Sequence, residues 1–406
     1  MKNRVVCGFC AWYVYEMEVG MKRESGMSLF VSLAGVSLLC GGASGGGVPC
    51  IDPLLLSELD LNENSLGVEV VGDTAYMSQQ TVGGLQIVDV SDSANPVMLG
   101  SYSNPFESIS QVAVDGGIAY LASSPNLGLI AVDVSDPMNP FEVGSVPFQN
   151  CFAVKVVGTR AFVIYIDGLV VLDISDPANM SVIGSIDVGG EQDVFVVGDV
   201  AYVPSASFGF RIFDVNPGLA NPELLGSIDF GGVAVRVFVD GTTAFVTQIA
   251  GPSDELVAID VSDPMNPFVL GTFDTPGGAW NVDVVGGTTA YVADQFSGLS
   301  IVDVTDPTMM SLIGNYDTAG QGFDVVVDGS TAYLAEIPAG IMIFDIGNNC
   351  PCPADLTDDG VLDFFDISAF LTAMGNGDLA ADFNNDGVLD FFDISSFLMA
   401  FGAGCP

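Results

Sequence analysis

Residues 84–90 read GLQIVDV. The pattern returns as GLIAVDV from Gly128, GLVVLDI from Gly168, GFRIFDV from Gly209, ELVAIDV from Glu255, GLSIVDV from Gly298 and GIMIFDI from Gly340. The seven aspartates, Asp89, Asp133, Asp173, Asp214, Asp260, Asp303 and Asp345, follow one another at intervals of 40–46 residues. Self-similarity at such a period marks a repeat architecture rather than a conventional core. Upstream of each copy lies a Val-rich alternating segment, a Gly/Asp turn and an Ala-Tyr or Ala-Phe pair, beginning at Ala75, Ala119, Ala161, Ala201, Ala244, Ala290 and Ala332. Downstream of six copies comes a segment like P-x-x-L-G-S-Y, as in Pro96–Tyr102.

Each unit therefore reads as four short strands. Period-2 alternation is plain in VEVVGDTAYM (68–77) and NVDVVGGTTAYV (281–292), and turns such as Asp115-Gly116 suit tight hairpins. Four strands in about 42 residues, seven times over, is the arithmetic of a seven-bladed β-propeller. The seventh unit ends after Ile346 without an outer strand, and the spare piece, Pro53-Leu54-Leu55-Leu56-Ser57, precedes the first unit. The 294 residues from Pro53 to Ile346 make seven units of 42, which predicts an all-β ring closed by strand exchange. Closure removes the sheet edges that an open solenoid would have to cap.

The ends of the cut turn in the last blade carry Cys50 and Cys350, so a Cys50–Cys350 disulfide is expected to lock the ring. Cys50 free, or paired with Cys352, is the alternative. Cys151 lies inside the propeller without an evident partner and reads as a small buried hydrophobe.

The chain has 406 residues, 51 acidic and 8 basic side chains and no histidine, for a net charge of −43. No Ser-His-Asp triad and no imidazole acid/base chemistry can be built from it. So acidic a chain argues against nucleic acid as a partner. Near the N-terminus, Lys22-Arg23 precede the apolar run Ser28–Cys40 and then GGASGGG, the plan of a secretory signal peptide with cleavage near Ala43. Met21 is an alternative start. Residues 1–45 are read as this export signal, 46–349 as the propeller and 350–406 as a second domain. No transmembrane segment is expected after cleavage, and the setting is secreted or cell-surface.

The last 57 residues hold ten Asp and neither Lys nor Arg. Two near copies, from Asp355 and from Asp382, each open with a twelve-residue loop carrying oxygen ligands at positions 1, 3, 5, 9 and 12 and Gly at 6. The ligands are Asp355, Thr357, Asp359, Asp363 and Asp366, then Asp382, Asn384, Asp386, Asp390 and Asp393. Val361 and Val388 offer backbone carbonyls at position 7. This is EF-hand chemistry for two Ca²⁺ ions, which want six or seven oxygens each. A helix follows each loop, with apolar stripes Ile367, Phe370, Leu371, Met374 and Ile394, Phe397, Leu398, Phe401 expected to form a small core.

The G-L-x-I-V-D-V unit followed by S-D-P-x-N-P resembles the LVIVD repeat of bacterial and archaeal surface propellers, over about three quarters of the chain. That resemblance implies a fold and an extracellular setting, not an activity. The duplicated loop-helix, with Asp at position 12, resembles the type I dockerin module. This implies a cohesin-like or surface-anchoring partner, with loop positions 10 and 11, Phe364-Phe365 and Phe391-Phe392, helping to set recognition. One Phe of each pair is expected to pack inward. Cys352 and Cys405 flank the module closely enough to staple its ends.

No active site is compelled. The seven strand-end aspartates, recurring with Ser-Asp-Pro or Thr-Asp-Pro, read as turn caps. An axial site for a glycan or protein ligand is expected around Phe152, Trp280, Asp294, Phe323 and Glu336, with Asp187, Asp274 and Asp317 in the same loops. The favoured function is a secreted, non-catalytic binding or scaffold propeller tethered by its calcium-dependent module. The alternative is a polysaccharide-active hydrolase or lyase working through carboxylates.

Overall fold

The computed structural model describes residues 53–61, 64–80, 84–104, 107–187, 190, 192–249 and 255–347. Of the C-terminal segment it describes 354, 356–357, 364–378, 381–383 and 388–403. Cys50, Cys350, Cys352 and Cys405, and with them the expected disulfides, lie outside these residues, as does the expected export signal.

Seven four-stranded antiparallel sheets follow one another along the chain, six built from four consecutive strands and the seventh taking its outer strand from Leu54–Leu59. The inner strands are Ser65–Val71, Ser108–Asp115, Cys151–Val157, Phe195–Val197, Val233–Asp240, Asn281–Val285 and Gln321–Asp328, which define blades 1 to 7. Each inner strand turns into the second strand through a glycine at φ 57–61°, from Gly72 in blade 1 to Gly329 in blade 7. Only glycine takes this left-handed turn freely, and it matches the twist of a tight hairpin.

The exchange expected from the repeat arithmetic is present. Leu54–Leu59 pairs antiparallel with Gly340–Asp345, Leu54 opposite Asp345 and Leu59 opposite Ile341, as the outer strand of blade 7.

The core is divided among the blade junctions. Seven hydrophobic clusters each draw on two neighbouring sheets, from Tyr76, Leu85 and Ile109 between blades 1 and 2 to Tyr333, Ile341 and Val68 between blades 7 and 1. The Ala-Tyr/Phe motif explains itself here. Ala75, Ala119, Ala161, Ala201, Ala244, Ala290 and Ala332 are wholly buried. Each large buried Val, Leu, Ile or Phe contributes about 1.5–3 kcal/mol, so stability is distributed around the ring.

The L-G-S motif has an equally local cause. The loop after the third strand of one blade lies on the outer strand of the blade before it. A Cβ on Gly100 would collide with Pro137 O and Met138, and one on Gly226 with Pro264 O and Met265. At the closure Ser57 stands opposite Ile343, where the other blades have this glycine, and its hydroxyl donates to Ser93 O at 2.6 Å.

At the C-terminus two helices, Phe364–Asn376 and Phe391–Ala403, share a small core. Phe370 and Phe397 stack at 4.1 Å with planes 4° apart. The expected stripes are narrower than drawn: Leu371 and Leu398 are 56% and 54% exposed, because the helices meet along Phe370 and Phe397 and leave the adjoining i+1 positions outside. Among the described residues no helix is long and apolar enough to cross a membrane.

Candidate functional site

The seven inner strands surround a channel, and their channel-facing edges carry N–H groups with no further strand to pair them. Such groups need other acceptors. In each blade a buried Val, Val68 in blade 1 and Val325 in blade 7, is flanked by two positions that differ from blade to blade. The first holds Gly67, Gln111, Ala153, Asp193, Arg236, Asn281 and Asp324. The second holds Glu69, Ala113, Lys155, Phe195, Phe238, Asp283 and Val326. Most of these residues line one cavity of about 260 Å³ to which all seven blades contribute.

The first position supplies the missing acceptors. Asp324 Oδ2 accepts Val68 N–H at 2.8 Å, Gln111 Oε1 accepts Val154 N–H at 2.8 Å, and Asp193 Oδ2 accepts Val237 N–H at 3.2 Å. At the second position Asp283 Oδ2 accepts Val327 N–H at 2.8 Å. In every case a side chain from one blade holds the inner strand of the next. Asn281 also donates from blade 6 to Asp324, so this carboxylate joins three blades.

Burial controls the charge of these groups. Desolvation pushes Asp324 up to about 7; the Val68 N–H, positive Arg236 and Asn281 hold it down, while Asp193 raises it further. Desolvation also raises Asp283, opposed by the Val327 and Val284 N–H groups and Lys155. Glu69 is raised by desolvation and by Asp283, against Lys155. Lys155 Nζ lies 5.2 Å from the centre of the Phe195 ring. The eight basic residues of the chain include only four beyond residue 46, and two of those, Lys155 and Arg236, belong to these inner-strand positions.

The five residues expected to form an axial site are placed differently from one another. Trp280 and Phe323 meet edge to face at 5.3 Å. Phe152 packs on the core between blades 3 and 4. Asp294 is fully buried and accepts from Thr275 Oγ1 at 2.7 Å, Ser300 Oγ at 2.8 Å and Gly277 N at 2.9 Å. Glu336 is buried and accepts Gly320 N–H at 2.9 Å. These two carboxylates hold their own loops in shape, as Glu107 does for Asn126 and Leu127.

The strand-end aspartates are turn caps in all seven blades. Asp89, Asp133, Asp173, Asp214, Asp260, Asp303 and Asp345 each accept the N–H two residues on at 2.9 Å. Cys151 is wholly buried and free, and burial pushes its thiol up to about 12.

In the C-terminal segment the last ligand of each predicted loop, Asp366 and Asp393, is fully buried in the first turn of its helix. Asp366 Oδ1 accepts from Thr357 N and Oγ1 at 3.1 and 3.0 Å, and Asp393 Oδ2 accepts Asp390 N–H at 2.7 Å. Inward-held carboxylates meeting other loop positions fit the oxygen donor set of a hard cation. Asp382 and Val388 are also described. Asp355, Asp359, Val361, Asp363, Asn384 and Asp386 lie outside the described residues. The expectation that one Phe of each pair turns inward is corrected: Phe364, Phe365, Phe391 and Phe392 are all 65–73% exposed. The two-helix core is already filled by Phe370, Phe383, Phe397 and Phe401.

A sequence model of the LVIVD repeat matches residues 64–104, 108–147, 152–188, 231–275, 276–318 and 319–351, more than half of the chain. The chain belongs to the LVIVD repeat family. The matched LVIVD segments correspond to blades 1–3 and 5–7. Blade 4, with an inner strand of three residues, stands between them. No curated protein sequence matches the chain. Among solved structures, the computationally designed Ika8 protein aligns with a TM-score of 0.55 at 7% identity, over 72% of this chain and all of that one. The WD40 propeller domain of Doa1 aligns at 0.59 and 11%, over 73% and 97%. Raptor of Chaetomium thermophilum aligns at 0.58 and 10%, over 73% of this chain and 30% of its own. Such likenesses show the propeller fold that the LVIVD repeats build here, and nothing about ligands.

Proposed function

We propose that the chain is an exported, non-catalytic binding propeller, held at a cell surface or in an extracellular complex by its C-terminal segment in a calcium-dependent manner. Support for the non-catalytic part comes from how the carboxylates are used. The strand-end aspartates cap turns, Asp193, Asp283 and Asp324 hold neighbouring blades, and Asp294 and Glu336 pin loops. Asp294 and Glu336, carboxylates that the alternative, a polysaccharide hydrolase or lyase, could have used, are already engaged in the fold.

One observation carries the attachment part. Both helices begin with two adjacent exposed phenylalanines, Phe364-Phe365 and Phe391-Phe392, at matching positions of a duplicated segment. Four exposed aromatics beside the exposed Leu371 and Leu398 make a costly surface in water and an effective contact for a partner protein. In this reading Ca²⁺ bound by Asp355, Thr357, Asp359, Val361, Asp363 and Asp366, and by Asp382, Asn384, Asp386, Val388, Asp390 and Asp393, orders the loops that present these side chains. Calcium chelation would dissolve the contact without touching the propeller.

The test is co-sedimentation of the full chain with the envelope fraction of the producing cell. Binding in about 2 mM Ca²⁺, above the roughly 0.1–1 mM Kd of extracellular calcium modules, should fall at least tenfold with chelator. It should fall equally when all four phenylalanines are changed to Ser. Calcium-independent binding, or binding indifferent to the four substitutions, would overturn the attachment reading.

A further inference from the structure

The channel holds two opposite charges that the fold does not use. Asp193, Asp283 and Asp324 accept backbone N–H groups of neighbouring blades, and Arg236 donates to Gln192 O at 2.8 Å. Glu69 and Lys155 do nothing comparable. Among the described residues neither forms a hydrogen bond or a close ion pair; Lys155 acts on Glu69 and Asp283 only at longer range, and its nearest ring is Phe195.

Their arrangement is set by the blade order. Glu69 on blade 1 and Lys155 on blade 3 are separated by the small Ala113 of blade 2. On the other side of Glu69, Val326 separates it from Asp283 on blade 6. Blades 4 and 5 supply Phe195 and Phe238, whose rings are 5.0 Å apart. One level of the channel thus offers an acidic arc, one ammonium and an apolar wall, all lining the same cavity of about 260 Å³.

A charge in a partly desolvated cavity is stabilised by an opposite charge with good geometry, and here neither sign has one in direct contact. A simple cation would answer Glu69 and leave Lys155 opposing it. A simple anion would meet Lys155 and be repelled by Glu69 and Asp283. A molecule carrying both charges answers both. The room equals that of about nine waters at ~30 Å³ each, and lies just under the usual range for small-molecule pockets. That suits a single small molecule rather than a polymer.

We propose that the channel binds a small zwitterion, an α-amino acid with an apolar side chain. Its ammonium sits between Glu69 and Asp283, its carboxylate on Lys155, and its side chain against Phe195 and Phe238. This activity is additional to the surface attachment and does not depend on it.

The experiment titrates the full chain with L-phenylalanine and L-leucine, read by calorimetry and by the fluorescence of Trp280, the neighbour of the cavity-lining Asn281. The same titration is run with phenethylamine, which lacks the carboxylate, 3-phenylpropionate, which lacks the ammonium, and glucose. Saturable binding of an amino acid is expected, with each one-charge analogue at least tenfold weaker and glucose silent. Glu69→Gln and Lys155→Met should each weaken binding at least tenfold while keeping a cooperative thermal transition. Absence of saturable amino-acid binding, equal binding of a one-charge analogue, or glucose binding in its place would overturn the proposal. Should a variant fail to fold, the analogue series on the unaltered chain decides by itself.

Discussion

Val68 and Asp324, 256 positions apart in the chain, meet where the ring closes, the Val68 N–H donating to Asp324 Oδ2 at 2.8 Å. The contact joins the first blade to the last from the channel side, while Ser57 and Ser93 join them from the rim. Asp324→Ala removes the acceptor and leaves a buried N–H unsatisfied, which costs about 1–3 kcal/mol. Urea unfolding should show that loss as a lower midpoint with an unchanged slope, since the surface exposed on unfolding stays the same.

The pH profile should have a maximum in mild acid. Asp324, raised to about 7, together with the raised Asp283, Asp294 and Glu69, binds protons more tightly folded than unfolded. Their contribution is complete below the unfolded carboxylate pKa and is lost as pH rises through the folded value. Asp89, Asp133, Asp173, Asp260 and Asp306 are lowered by hydrogen bonds at their turns and act oppositely, losing their contribution as pH falls through their folded pKa values. Melting temperature should therefore rise from pH 8 to about 5 and fall below about 4. Asp324→Asn should flatten the upper limb. A monotonic rise to pH 8 would contradict the assignment.

Gly226→Ala tests the packing of loop on outer strand. The added methyl would collide with Pro264 O of the next blade, and the backbone there is not in the left-handed region, so the effect is one of space alone. Overpacking of this kind costs about 1–3 kcal/mol. Gly72→Ala is the comparison: nothing lies near its Cβ, so any loss there comes from its φ of +58°. Equal stability of Gly226→Ala and the unaltered protein in urea would refute the packing account.

Cys151 should be inert. With its thiol raised to about 12 by burial, iodoacetamide at pH 8 should leave it unmodified in the folded protein and label it once urea unfolds the chain. Mass spectrometry of the tryptic peptide distinguishes the two. Labelling of Cys151 in folded protein would mean that blade 3 opens readily.

The repeat and its closure could be read from residues because every blade solves the same packing problem with the same letters. Pro53–Ser57 matched the missing strand because it carries the apolar pattern of the other outer strands. The turn role of Asp89 and its six counterparts was legible for the same reason. The channel was not. Glu69, Lys155 and Asp283 occupy the polar phase of alternating strands, where a charge ordinarily points to water, and only the ring turns that phase inward. A signal was nonetheless available: aligned by blade, these two positions vary while the residue between them stays Val. Asp294 and Glu336 misled for the opposite reason, since loop carboxylates can serve the loop itself. The exposure of both phenylalanines in each pair depended on how much room the two-helix core had, which spacing along one helix does not state.

The proposed attachment rests on Ca²⁺ ordering the C-terminal segment. Calorimetric titration of Ca²⁺ into the chelator-treated full chain, followed in parallel by circular dichroism at the helix band, tests it most directly. Two ions bound per chain, with helical signal gained on binding and the thermal transition of the strands unmoved, is the expected result. No calcium binding and an unchanged helical signal would contradict it.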